Sequence, residues 1–169
     1  MTSLEIISVF FQVSFIFIVC YAIVSDFITL TIPNWVPLAL TAGFAVYTAL
    51  FWQTIPLQQH LLFAFVALII GFGLFALGWM GAGDVKLISS VVLWAGPLHT
   101  VPFVFYMALS GGLFAFILIL LKRLAPHRSA LYEKIPPLKR IIKFSKRQVI
   151  PYGVAIGCSA LFTVAPVIG

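Results

Sequence analysis

Residues 78–90, GWMGAGDVKLISS, decide how this chain is read. They set Gly78, Gly81 and Gly83 just ahead of Asp84, with Lys86 two residues further on, whereas the residues before them carry only two other charges, Glu5 and Asp26. An ionisable residue at the edge of an apolar run is costly, and so marks function by default. The surrounding sequence has to say what solvent this acid sits in and what it faces.

That solvent is lipid. Of 169 residues, 63% are hydrophobic and 8% charged, against about 25% charged in soluble domains, and the mean hydropathy is +1.17. A water-soluble fold of this length could not hide so much apolar surface, so the expected class is an all-α integral membrane protein. Residues 1–169 read as a single membrane-embedded domain, with no tandem repeat and no low-complexity tract. The N-terminal MTSLEIISVFF lacks a basic start and a small-residue cleavage site, and is expected to remain as a helix. Cys20 and Cys158 lie in apolar runs without a CxxC partner and read as buried small residues.

Apolar runs separated by turn-forming breaks predict about six transmembrane helices, near residues 4–25, 35–52, 60–79, 84–97, 101–121 and 150–168. A proline in TIPNW marks one break and QTIPLQQH forms a short polar one. GPLHTVP is expected to bracket a tight turn with its two prolines. The fourth run is short: its fourteen residues cover about 21 Å of a hydrocarbon core about 30 Å thick. Asp84 at its start is therefore expected to be recessed from bulk water.

Basic residues give the orientation. Nine of the ten Lys and Arg fall between Lys122 and Arg147, which predicts a cytoplasmic loop over residues 122–149 before the last helix. Counting back through the helices puts the N-terminus outside and brings Asp26 and Asp84 to the same, cytoplasmic, side. Within the loop, Leu138, Ile141 and Ile142 share one helical face while Lys139, Arg140, Lys143, Lys146 and Arg147 occupy the others. That pattern suits an amphipathic helix on anionic lipid headgroups. A nucleic-acid role is not expected, since no aromatic residues interleave with the charges.

Asp26 alone could be a helix end meeting headgroups, and Asp84 alone a helix N-cap. The pair on one side suggests acid–base chemistry on water: an ionised carboxylate takes a proton from the water while a protonated partner donates to the group under attack. Gly81 and Gly83 would let an extended substrate backbone approach Asp84, or let the chain turn sharply. Lys86 points away from Asp84 on a helix and reads as a headgroup contact. His60, His99 and His127 are expected in loops, and no metal-ligand spacing is present, so neither a metal nor another cofactor is expected.

These residues resemble a known family. GAGDVKL, residues 81–87, resembles the GxGD signature of intramembrane-type aspartic peptidases, and specifically of the prepilin peptidase family. SDFITLTIPNW, residues 25–35, is similar to that family's first aspartate followed by an Ile-Pro-Asn turn, here Ile32, Pro33 and Asn34. VIPYGVAIG, residues 149–157, looks like its proline-glycine segment, with Pro151 and Gly153 opening the last helix. The resemblance implies Asp26 and Asp84 as catalytic residues, with Pro33, Asn34, Lys86, Pro151 and Gly153 as supporting motif residues. It implies removal of the short basic leader from type IV pilin-like precursors at the cytoplasmic face of a prokaryotic inner membrane. Bifunctional members also N-methylate the trimmed pilin and carry an insertion with paired zinc-binding cysteines. This chain lacks that insertion and resembles the short Flp/Tad-type or archaeal forms. It also lacks the basic residues that members often carry between the first aspartate and the proline, having FITLT instead. Two other classes were weighed: an ion-coupled transporter using the aspartates as a proton relay, which inverted repeats would have favoured, and a non-catalytic assembly factor.

Overall fold

The computed structural model describes residues 3–124 and 152–168, and these are helical apart from short links. In chain order they form α1 (Ser3–Thr29), α2 (Trp35–Leu50), α3 (Leu57–Ala76), α4 (Ala82–Leu124) and α5 (Tyr152–Thr163), closed by a 3₁₀ turn at Ala165–Val167. The basic loop expected over 122–149 lies outside the described residues except for the end of α4, as do Pro151 and His127.

The apolar residues are distributed inside out. Phe17, Phe65, Phe72 and Phe105 are each more than half exposed along the outer helix faces, as a bilayer requires. The segments Leu4–Thr29, Leu57–Ala76 and Ala82–Ile117 are long and apolar enough to cross a membrane. Polar groups turn inward instead. Thr48, Ser90, Ser159 and Thr163 are buried, and each satisfies its hydroxyl on a backbone carbonyl three or four residues back. Lipid tails are as apolar as leucine, so such helices are held by close packing and internal hydrogen bonds.

The first half of α4 is the hub. It is buried almost continuously from Leu87 to Gly96, with α1, α2, α3 and α5 around it. From α1 it meets the stripe Phe15, Val19 and Ala22, and from α2 the stripe Val36, Leu40 and Phe44, both at helical spacing. Trp94 anchors the far end. Its indole N–H donates to the Leu40 carbonyl at 2.9 Å, and its ring packs against Phe11, Phe15, Phe44 and Tyr47.

The structure keeps the expected fourth and fifth helices and corrects the turn between them. They form one helical element, α4, with a single non-helical residue, Gly96, at φ 61 and ψ −168. Both prolines of GPLHTVP continue the second half of the helix instead of bracketing a loop. One residue still suffices to reverse the chain. A straight helix would carry Ser110 about 39 Å from Asp84, yet the Ser110 hydroxyl donates to Ala155 at the start of α5, where Gly153 packs on Asp26. The first half therefore spans fourteen residues, 82–95, as short as the sequence suggested.

The chemistry of the reversal is local. Pro97 has no N–H, so the Leu93 carbonyl four residues back has no helical donor. The His60 ring supplies it, with Nδ1 2.8 Å from the Leu93 oxygen, while the imidazole stacks on Phe44. His60 and His99 were expected in loops; both are helical, in α3 and α4. Only glycine fits position 96, because its φ is positive and a Cβ would run into the His60 ring. Gly96→Ala should lower stability by about 1–3 kcal/mol, read as a fall in melting temperature of the detergent-solubilised protein. Unchanged melting would show that the reversal tolerates a side chain.

Candidate active site

The glycine-rich link between α3 and α4 is built from two helix caps back to back. Gly78 has φ +74 and closes α3: its N–H bonds the Phe75 carbonyl, and the next N–H, of Trp79, bonds Leu74. This is the paired hydrogen bonding of a Schellman stop. Gly81 opens α4, accepting from the Val85 N–H through its carbonyl and donating its own N–H to Asp84 Oδ2 at 3.3 Å. Asp84 thus reaches back from the first turn to the cap residue, as the third position of a capping box does, and its negative charge suits the positive end of the helix.

Gly83 does something different. A Cβ there would lie 3.3 Å from Ile32 Cβ, so its bareness lets the first turn of α4 lie against the Ile-Pro-Asn turn. One turn further along, Lys86 Nζ donates to Asn34 Oδ1 at 2.9 Å. The two quoted stretches therefore meet twice, through Gly83 on Ile32 and through Lys86 on Asn34. Both glycines before Asp84 also line the cleft, and Lys86 gives one of its three N–H donors to the Asn34 amide.

Asp26 ends the inner stripe of α1, one turn beyond Ala22, and is only 4% exposed. Four residues on, Leu30 takes the left-handed conformation at φ 56, a cost of about 1–2 kcal/mol for a residue with a side chain. This reverses the chain at once and brings Ile32 back over Gly83. The first turn of α5 comes down on the carboxylate, with the backbone N–H groups of Gly153 and Val154 facing it. A Cβ at Gly153 would lie 2.7 Å from Asp26 Oδ2, so the close approach requires glycine. Four residues along, Gly157 packs as tightly on Ile23. This pair of small residues on one face lets the backbones of α1 and α5 approach. Asp26 Oδ2 stays buried and without a hydrogen-bond partner among the described residues.

Asp26 and Asp84 line one cleft of about 590 Å³, together with Leu30, Ile32, Trp79, Met80, Gly81 and Tyr152 among others. They are near enough for the charge of one to act on the other. Of the supporting residues named from sequence, Asn34, Lys86 and Gly153 touch this framework directly, and Pro33 accepts the first hydrogen bond of α2 from Val36. The sequence gives no chemical signature for the roles of Leu30 and Val154, nor for Trp79 and Met80 in the cleft wall. Among the described residues no three His, Cys, Asp or Glu side chains gather in a metal-binding group.

A model of the type IV leader peptidase family matches residues 13–116. The chain belongs to that family. It is a membrane peptidase by descent, and the matched stretch holds both aspartates, the Ile-Pro-Asn turn and the whole glycine-rich link. The α5 contact on Asp26 lies beyond it. No individual protein of described function and no solved structure gives a significant match.

Two substitutions test the framework. Gly153→Ala should destabilise the solubilised protein by about 1–3 kcal/mol, since its methyl would overlap the Asp26 side chain down to its Cβ. Gly111→Ala should be tolerated, its Cβ meeting Ala155 at an ordinary 3.6 Å. Equal melting of the two would remove the tight α5 contact. For the second link, Asn34→Leu and Lys86→Met should be non-additive, with a coupling of about 0.5–3 kcal/mol in a double-mutant cycle of melting. Strict additivity would mean that the hydrogen bond is not a unit.

Proposed function

We propose that this family member is an aspartic endopeptidase in which Asp26 and Asp84 activate a water molecule between them. The carrying observation is the shared cleft, in which a buried oxygen of Asp26 has no protein partner among the described residues. A buried carboxylate oxygen needs a hydrogen-bond partner, and a water or a shared proton at this position would supply one. The reaction follows from general acid–base chemistry. The ionised carboxylate takes a proton from water as the oxygen attacks a peptide carbonyl, and the protonated carboxyl donates to the carbonyl oxygen or leaving amine.

The substrate we infer is a type IV pilin-like precursor with a short basic leader. Family membership supports the class, and two acids in a cleft otherwise lined mainly by apolar residues and glycines suit a cationic peptide. We place the cleft at the cytoplasmic face of a prokaryotic inner membrane, with six crossings and the N-terminus outside. The support is the charge bias of residues 122–147 together with the reversal at Gly96, which divides α4 into a short first segment, 82–95, and a longer second one. No N-methylation is proposed, because the chain has no CxxC pair.

Asp26→Asn and Asp84→Asn should each abolish trimming of a co-expressed precursor while the protein still inserts in the membrane. Mass spectrometry of the precursor's new N-terminus reads the outcome. Normal trimming by either variant would end the two-aspartate mechanism. Trimming lost for every precursor tried, with wild-type protein inserted, would end the substrate assignment.

A further inference from the structure

α2 and α3 both pack on α4 but scarcely touch one another. The seam between them is a groove of about 610 Å³ with the first half of α4 as its floor. Its walls include Leu38 from α2 and Leu61, Phe65 and Leu68 from α3, all outward-facing, and it runs along α4 from Lys86 to Leu93, about 10 Å of helix. The hydroxyls that border it are already used. Thr41 and Ser90 donate to the Pro37 carbonyl, and Ser89 donates to Val85.

Lys86 is the exception. It is the one charged residue of the groove, an ammonium has three N–H donors, and its hydrogen bond goes to a neutral oxygen, Asn34 Oδ1. A groove with apolar walls and, at one end, a cation with no carboxylate partner among the described residues fits an apolar chain that ends in an anion.

We propose that this seam binds one acyl chain of an anionic phospholipid, with its phosphate held by Lys86. The site needs none of the residues beyond 124. It also places the headgroup one helical face away from Asp84, with Lys86 joined through Asn34 to the start of α2. Binding does not depend on the peptidase reading and is measured without catalysis.

The test is native mass spectrometry of the purified full chain in detergent, titrated with phosphatidylglycerol or phosphatidylcholine. Photo-crosslinkable phosphatidylglycerol in vesicles then maps the contact. Wild-type protein should retain phosphatidylglycerol preferentially and crosslink at α2 and α3 residues of the seam. Lys86→Gln should weaken retention about fivefold, the factor for roughly one basic residue at an anionic surface, and lose the headgroup preference. Leu68→Trp, which fills the seam, should block the crosslink while leaving Lys86 in place. Equal retention of both lipids, crosslinks unaffected by either variant, or a crosslinked pilin precursor displacing the lipid from the seam would each overturn the proposal.

Discussion

The arrangement depends on one contact: the first turn of α5 seated on the carboxylate of Asp26. A buried acid at the end of a membrane helix is tolerated only where something replaces water, and here two backbone N–H groups of a helix start face it. The helix end is partly positive and offers unpaired donors, so it accommodates a carboxyl group with no basic side chain against it among the described residues. That approach is possible because Gly153 and Gly157 lie one turn apart on the same face of α5. A methyl at either position would push the backbone away and leave the acid to the lipid.

The second acid is held by a different device. Asp84 reaches back to the N–H that its own helix leaves free at Gly81. Each carboxylate therefore belongs to a helix start, Asp84 to that of its own helix and Asp26 to that of another. Bringing the two starts together requires the turn after α1 to lie against the first turn of α4. Leu30 in the left-handed region, Ile32 over the bare Gly83 and the Lys86–Asn34 hydrogen bond achieve this. The strained Leu30 fits the pattern that unfavourable backbone is kept where the surroundings fix it and where a site is formed.

Much of this was legible in the sequence, and for physical reasons. Composition fixed the solvent, and a solvent of lipid leaves helices as the structure for apolar runs of this length. The inner stripe of Phe15, Val19 and Ala22 runs at helical spacing into Asp26, so the facing of that acid could be read from periodicity. The reversal at Gly96 was harder. Gly-Pro looks the same in sequence whether it opens a loop or reverses a helix within one residue, and the donor that replaces the missing N–H, His60, comes from 33 positions away. The purposes of Gly81 and Gly83 were similarly hidden. Bareness is visible in sequence, but what lies against it is not, and here Asp84 and Ile32 lie beside glycines that also line the cleft. Family resemblance pointed to the aspartates but could not show Gly153 pressed on Asp26, which is a property of packing.

The two ends of the bundle are built to different specifications. At the Trp94 end, five aromatic rings and the His60–Leu93 bond lock α1, α2, α3 and α4 together, with large side chains in mutual contact. At the cleft end the helices are joined by glycines, by backbone N–H groups on a carboxylate and by a single lysine–asparagine bond. Close contacts through glycine are exact but few, and regions with few buried side-chain contacts are those that open first. A site that must admit a peptide backbone gains from that asymmetry. The packed end holds the helices in register, so the approach of α4 and α5 to the cleft is left to glycines rather than to interlocked side chains.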